Sequence, residues 1–148
     1  HIFQMSSGAG IKASAGFGIY NASKFALEGF SEALADEIRP LGIQLTIVEP
    51  GPFRTNFAGS SLIIAQKNIA DYENTAGLFK KRLTEIVHNN QEGDPVRASQ
   101  ILFDLALKPQ APLRLPLGKV VLIGIEAKIE SIKTDLENWR NVALSAVY

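Results

Sequence analysis

Tyr20-Asn21-Ala22-Ser23-Lys24 is the stretch around which the rest of the chain arranges itself. It comes 13 positions after Ser7 and opens a long amphipathic run. Residues four apart on a helix share a face, one turn apart, so a helix here sets Tyr20 beside Lys24. A fixed ammonium next to a phenol favours the phenolate and lowers the phenol pKa. A free tyrosine titrates near ~10, too high for efficient proton transfer at neutral pH. A hydroxyl from Ser7, brought alongside, holds a substrate oxygen. Together these side chains make a site that moves a proton on or off a carbonyl or alcohol oxygen. The bland alternative is a solvated lysine beside a half-buried tyrosine, and the pair alone does not decide between the two.

Composition narrows the setting. The chain has 148 residues, 46% of them hydrophobic, and a formal net charge of zero. That is enough for one domain with a real core and rules out a disordered chain. Balanced charge argues against a nucleic-acid or anionic-membrane binder. There is no cysteine, which excludes disulfides, thiol catalysis and zinc–thiolate sites. His1 and His88 are far apart in sequence, so no metal site is expected. No apolar run approaches the ~20 residues of a membrane span, and no signal peptide opens the chain. The expectation is a cytoplasmic protein. The opening His1-Ile2-Phe3-Gln4-Met5 reads as a strand already under way, so a piece of a longer protein is expected.

Taken in order, Ile2 to Ser6 is a short buried strand ending in Ser-Ser-Gly, and such carboxyl ends are where sites lie in open α/β sheets. Gly8-Ala9-Gly10-Ile11-Lys12-Ala13 fits the spacing of a dinucleotide fingerprint, but Ser14-Ala15-Gly16-Phe17-Gly18 is rich in helix breakers where that motif needs a helix at once. It reads instead as a flexible active-site loop, and the Asn21-Ala22-Ser23 sequon as a coincidence. A helix follows over Tyr20 to Leu41, with Leu27, Phe30, Leu34 and Ile38 as an apolar stripe and Ala22, Ala26, Gly29 and Ala33 as a small-residue stripe. Glu28, Glu32 and Asp36 fall on the remaining, solvated surface. Ile43 to Val48 is a β-branched strand closed by Glu49-Pro50-Gly51-Pro52, making the α–β half of a βαβ unit. Gly59 to Asn90 is long and irregular, with one amphipathic helix over Thr75 to His88. Asp94-Pro95 starts a further helix, Asp as cap and Pro in the first turn, with Val96, Ile101, Leu102 and Leu105 as its apolar face. Lys108 to Pro116 is a connector, Val120 to Gly124 a buried strand, and Glu126 to Val142 a surface helix covering something apolar through Ile129, Ile132, Leu136 and Trp139.

Three motifs in this order, Ser6-Ser7-Gly8-Ala9-Gly10, Tyr20-Asn21-Ala22-Ser23-Lys24 and Pro50-Gly51-Pro52-Phe53-Arg54-Thr55, resemble those of the short-chain dehydrogenase/reductase family. The resemblance covers residues 1 to about 125. It implies an α/β fold, a three-layer, Rossmann-type, doubly wound parallel sheet, of which only the carboxyl-terminal portion of about three strands is present, in a single domain over residues 1–148. It implies that Tyr20 is the general acid or base, that Lys24 tunes it and hydrogen-bonds the nicotinamide ribose, and that Ser7 holds the substrate oxygen. Pro50, Gly51, Phe53 and Thr55 would line the nicotinamide of NAD or NADP. Residues 59–90 would be the substrate-binding segment. The helices 20–41 and 95–107 resemble those that build the family's homodimers and homotetramers.

The implied function is an NAD(P)-dependent interconversion of a small-molecule alcohol and carbonyl. The family's Gly-rich phosphate loop, ribose-reading residue and fourth catalytic Asn are missing from the 148 residues. Ile11, Phe17, Phe53 and Leu62-Ile63-Ile64 point to an uncharged, partly apolar substrate; Arg54 is read as solvated or paired. Two other readings stay open: a non-catalytic α/β interaction fragment, and a family epimerase or dehydratase using the same Tyr and Lys.

Overall fold

The computed structural model describes residues 1–87 and 90–147. A parallel sheet in the order β1-β2-β3 organises it. Strand β1 is Ile2–Met5, β2 is Leu45–Pro50 and β3 is Arg114–Leu117. Ile2 lies opposite Leu45, and Ile47 opposite Arg114, with all pairs parallel. Central β2 is buried along nearly its whole length, as the run Leu-Thr-Ile-Val predicts for a strand covered on both faces.

Helix α1, Gly18–Ile38, links β1 to β2. Its close follows the expectation: a short 3-10 turn at Arg39–Leu41 and then Gly42 at φ 73°, a left-handed position that suits glycine. Ala35, Leu34 and Ile38 pack on Leu45 and Ile47 of β2. The inward face nevertheless differs from the expected stripe. Asn21, Glu28, Ser31 and Ala35 are the buried positions, while Phe30 is 59% exposed and Ala22, Ala26, Gly29 and Ala33 are exposed too. Glu28, read as solvated, is buried because β3 brings Arg114 against it, at 3.2 Å.

The segment after β2 holds a helical run over Glu73–Val87, in which the α-helical turn α2, Leu78–Lys81, is flanked by π-helical turns. The expected helix thus starts two residues earlier; His88 lies outside the described residues. Helix α3, Pro95–Ala106, begins as expected, with the Asp94 carboxylate accepting from the backbone N–H groups of Val96 and Arg97. Of its expected apolar face only Leu105 is buried and Leu102 half-buried; Val96 and Ile101 are exposed.

Two assignments are corrected at the end of the chain. Arg114–Leu117, read as connector, is the third strand. Pro116 is tolerated there because β3 is paired only to β2 and sits at a sheet edge. Val120–Gly124, read as a strand, is the first turn and more of α4, Lys119–Leu144. The β-branched run is overruled by its surroundings. Gly118 at φ 106° ends the strand, and the Glu92 carboxylate accepts from the Val120 N–H at 2.9 Å, a helix cap supplied from 28 residues away. Val121 is buried against Gly8 and Gly51. From Ile129 onward α4 covers nothing among the described residues: Ile129, Ile132, Leu136 and Trp139 are all exposed.

Candidate functional site

The loops at the carboxyl ends of β1 and β2 face each other across the first turns of α1. Between them lies a cavity of about 790 Å³, lined among others by Ser7, Tyr20, Pro50, Gly51, Phe53 and Thr55. Six of the seven residues singled out from the sequence therefore meet around one hollow. Lys24, the seventh, stands behind Tyr20: its Nζ is 5.8 Å from the Tyr20 ring centre and donates to the Met5 carbonyl at 2.9 Å. That bond uses one of three ammonium protons and leaves two for other acceptors.

Ser7 is fixed from both sides. Its Oγ accepts from the Ala9 N–H at 3.2 Å and lies 3.5 Å from the Pro50 carbonyl, at the edge of donating range. Ser6 beside it is buried. The stretch after it forms a 3-10 turn at Gly8–Gly10, too short for a dinucleotide-binding helix, which agrees with rejecting that fingerprint. Gly10 is required by close approach, since a Cβ there would sit 2.8 Å from the Ser6 Oγ.

Asn21 is the residue that sequence reasoning missed. It is buried, its Nδ2 donates to the Ala9 carbonyl at 2.8 Å, and its Oδ1 accepts from the Ser14 N–H at 3.2 Å. One side chain thus ties both ends of the loop to the helix carrying Tyr20 and Lys24. The only signal was an amide in the first turn of a helix, read as part of a sequon.

The Tyr20 ring sits in an aromatic cluster. Its centre is 4.9 Å from Phe17 and 5.5 Å from Phe57, and Phe17 lies 4.9 Å from Phe79. Phe57 and Phe79 were not anticipated, because they come from the irregular segment after β2. A second hollow, about 1290 Å³, opens on the other side of these rings and takes in Leu62, Ile63 and Ile64. Thr55 uses its Oγ1 to accept from the Phe57 N–H at 3.3 Å, shaping the turn at Asn56–Ala58. Phe53 forms a bridge to Gly93, whose Cα it crowds so closely that a Cβ would fall 2.5 Å from the ring. Arg54 is paired, its Nε donating to the Gln91 carbonyl at 2.9 Å.

Beneath the site lies a charged cluster that sequence reading also missed. Glu49, at the end of β2, is wholly buried, with Glu28 from α1 and Arg114 from β3 around it. Arg114 also pairs with Glu32. Arg114 Nε stands 3.2 Å from Glu49 Oε1, yet neither Glu49 oxygen has a hydrogen-bond partner among the described residues. Burial, reinforced by the Glu28 charge and opposed by Arg114, pushes the Glu49 carboxyl up to about 7. Among the described residues, no helix is long and apolar enough to cross a membrane.

Comparison with known proteins agrees with this geometry. The family model described as short chain dehydrogenase matches residues 1–63. Oxidoreductase BOA17 of Botryotinia fuckeliana is 32% identical over 146 residues, 99% of this chain and 53% of that protein. The 3-ketodihydrosphingosine reductase of Bacteroides thetaiotaomicron is 32% identical over 152 residues, again 99% of this chain and 53% of the relative. A crystal structure of a short-chain dehydrogenase from Streptomyces avermitilis superposes with a TM-score of 0.86 at 33% identity, over 99% of this chain and 52% of that one. The chain spans about half the length of the relatives it matches. With its parallel three-stranded sheet and its loops meeting at the strand ends, the chain belongs to the short-chain dehydrogenase/reductase family of oxidoreductases and spans part of that family's Rossmann-type domain.

Proposed function

We propose that this chain carries the proton-transfer side of an NAD(P)-dependent oxidoreductase interconverting an alcohol and a carbonyl. The observation that supports it most is that Ser7, Tyr20 and the Pro50–Thr55 loop share one cavity with Lys24 directly behind the phenol. A nicotinamide cofactor, NAD or NADP, supplies or takes up the hydride when bound. The nicotinamide end suits what is present: Gly51 is held by its N–H donating to the Leu117 carbonyl at 2.9 Å, Thr55 lies on the wall, and Lys24 retains free donors for ribose hydroxyls.

The residues divide the rest of the work. Ser7 Oγ donates to the substrate oxygen and holds it near the Tyr20 hydroxyl. In the reducing direction Tyr20 gives its proton to the oxygen on which negative charge develops. In the oxidising direction it takes that proton back. The Lys24 ammonium stabilises the phenolate left on Tyr20. The aromatic rings of Phe17, Phe57 and Phe79 keep the site dry on one side, which strengthens each of these interactions.

The same walls favour a substrate that is uncharged and partly apolar. Residues 59–90 form the substrate-binding segment in this reading, since they supply Phe79 and Leu83 to the cavity. The name of the Bacteroides thetaiotaomicron relative, 3-ketodihydrosphingosine reductase, supports a ketone as the substrate. The exposed faces of α1 and α3, with Phe25, Phe30, Ile101 and Phe103, are suited to joining copies into a homodimer or homotetramer.

The test is Tyr20→Phe in the protein as its gene encodes it, assayed against ketones with NADH and NADPH. Loss of the hydroxyl should lower kcat by about 10²–10⁴-fold with the fold intact. Most of the activity remaining would sink the assignment. Lys24→Met should weaken both cofactor affinity and rate; no change in either would make it a surface residue.

A further inference from the structure

The part of α4 that leaves the body carries an unpartnered seam. Leu122, Ile125, Ile129, Ile132, Leu136 and Trp139 recur at alternating spacings of three and four, the a and d positions of three successive heptads. All but Ile125 are exposed, and Ile125 is half-buried. From residue 129 to 147 every described position is exposed, so among the described residues nothing packs on the seam from Ile129 onward. A repeat of this kind is a surface for another helix, and the charges beside it say which one.

We infer that α4 pairs with α4 of a second copy of this chain, running antiparallel about a two-fold axis between Glu130 and Ser131. In that register Leu122 packs on the partner's Trp139, Ile125 on the partner's Leu136, and Ile129 on the partner's Ile132. The flanking positions then oppose one another with complementary charge. Glu126 faces the partner's Lys133, and Lys128 faces the partner's Asp135. By symmetry each pair occurs twice. The outer pair of Lys119 with the partner's Arg140 is like-charged, but lies at the ends of the seam. In a parallel arrangement Lys128 instead faces the partner's Lys133, which cancels the gain from Asp135 with the partner's Arg140. Charge therefore selects the antiparallel self-pair, in which the interface is isologous and closed. The seam is separate from the exposed faces of α1 and α3, and this inference does not depend on the chemistry proposed above.

Trp139 is the chain's single tryptophan and is 63% exposed, so it reports on the contact directly. Trp139 emission and sedimentation velocity are measured on the whole chain from the nanomolar range to about 100 μM. Self-pairing predicts a blue shift of the emission that grows with concentration. Lys128→Glu should weaken the association at least about tenfold, by turning two attractive pairs repulsive. Adding Asp135→Lys should restore it. Far-ultraviolet circular dichroism checks that the helix survives. Emission that does not move with concentration, from a species that sediments as a monomer, overturns the proposal: red throughout if the seam stays open, blue throughout if another segment of a longer protein occupies it. Tighter association of Lys128→Glu points to a parallel pair and also overturns it. Indifference to both substitutions overturns it in favour of association through another face.

Discussion

Asn21 shows how much of this site depends on a single side chain outside the chemistry. It holds the loop that presents Ser7 against the helix that presents Tyr20, through the Ala9 carbonyl and the Ser14 N–H. Asn21→Ala removes both hydrogen bonds of a buried side chain and should cost about 1–3 kcal/mol in denaturant unfolding. It should also speed amide exchange across residues 8–14. A change within about 0.5 kcal/mol would mean water replaces the amide and the loop does not need its pin. Tyr20→Phe differs in kind: it should remove nearly all turnover at little cost in stability, because the Tyr20 hydroxyl has no protein hydrogen bond to lose among the described residues. The Tyr-Lys pair was legible from spacing alone, since a helix fixes which residues share a face. Asn21 was not, because its partners are set by a loop whose path no periodicity predicts.

At the scale of elements, β2 and its neighbours explain both a success and a failure of sequence reading. The β-branched run before Pro50 marks a buried strand, and it is one. Its last residue but one, Glu49, is a carboxylate with no exposure, something no pattern of apolar residues announces. The Glu49 carboxyl, ordinarily near 4.5, is raised to about 7 in the fold. Between those values the folded protein holds a proton that the unfolded chain has lost, so stability falls as pH rises. The difference between the two ends of that window is roughly 3 kcal/mol. Glu49→Gln should remove this slope, leaving the variant more stable than the native chain at pH 8 and similar to it at pH 4.5. Equal pH profiles for the two in urea unfolding would show that Arg114 neutralises Glu49 after all. Strand β3 escaped prediction for a related reason. Pro116 and the two prolines before it, Pro109 and Pro112, read as connector, and only its place at the sheet edge makes Pro116 harmless.

For the molecule as a whole, the exposed apolar faces of α1 and α3 carry the prediction. Phe30 and Phe103 are 59% and 61% exposed, on helices that are otherwise anchored to the body. Phe30→Glu with Phe103→Glu should lower the assembly state seen in sedimentation equilibrium while leaving the circular dichroism spectrum unchanged. The same variant should not alter the Trp139 shift, which reads a different surface. An unchanged assembly state would remove these helices as an interface.

What the sequence determined by itself was local and periodic: a helix with Tyr20 above Lys24, a buried strand before Pro50, a capped helix at Asp94, and the order of motifs that identifies the family. Those follow from spacing and propensity, which act over a few residues. What the tertiary structure decided was everything that depends on neighbours distant in the chain. Glu92 caps α4 from 28 residues away and turns a β-branched run into helix. Arg114 crosses from β3 to the buried Glu28 and Glu49 and to the exposed Glu32. Phe57 and Phe79 close around Tyr20 from a segment without a readable period. In each case a charge or a ring was placed by the sheet, and a buried charge, a helix end or an aromatic wall is satisfied by whatever the fold brings to it, whatever its distance in sequence.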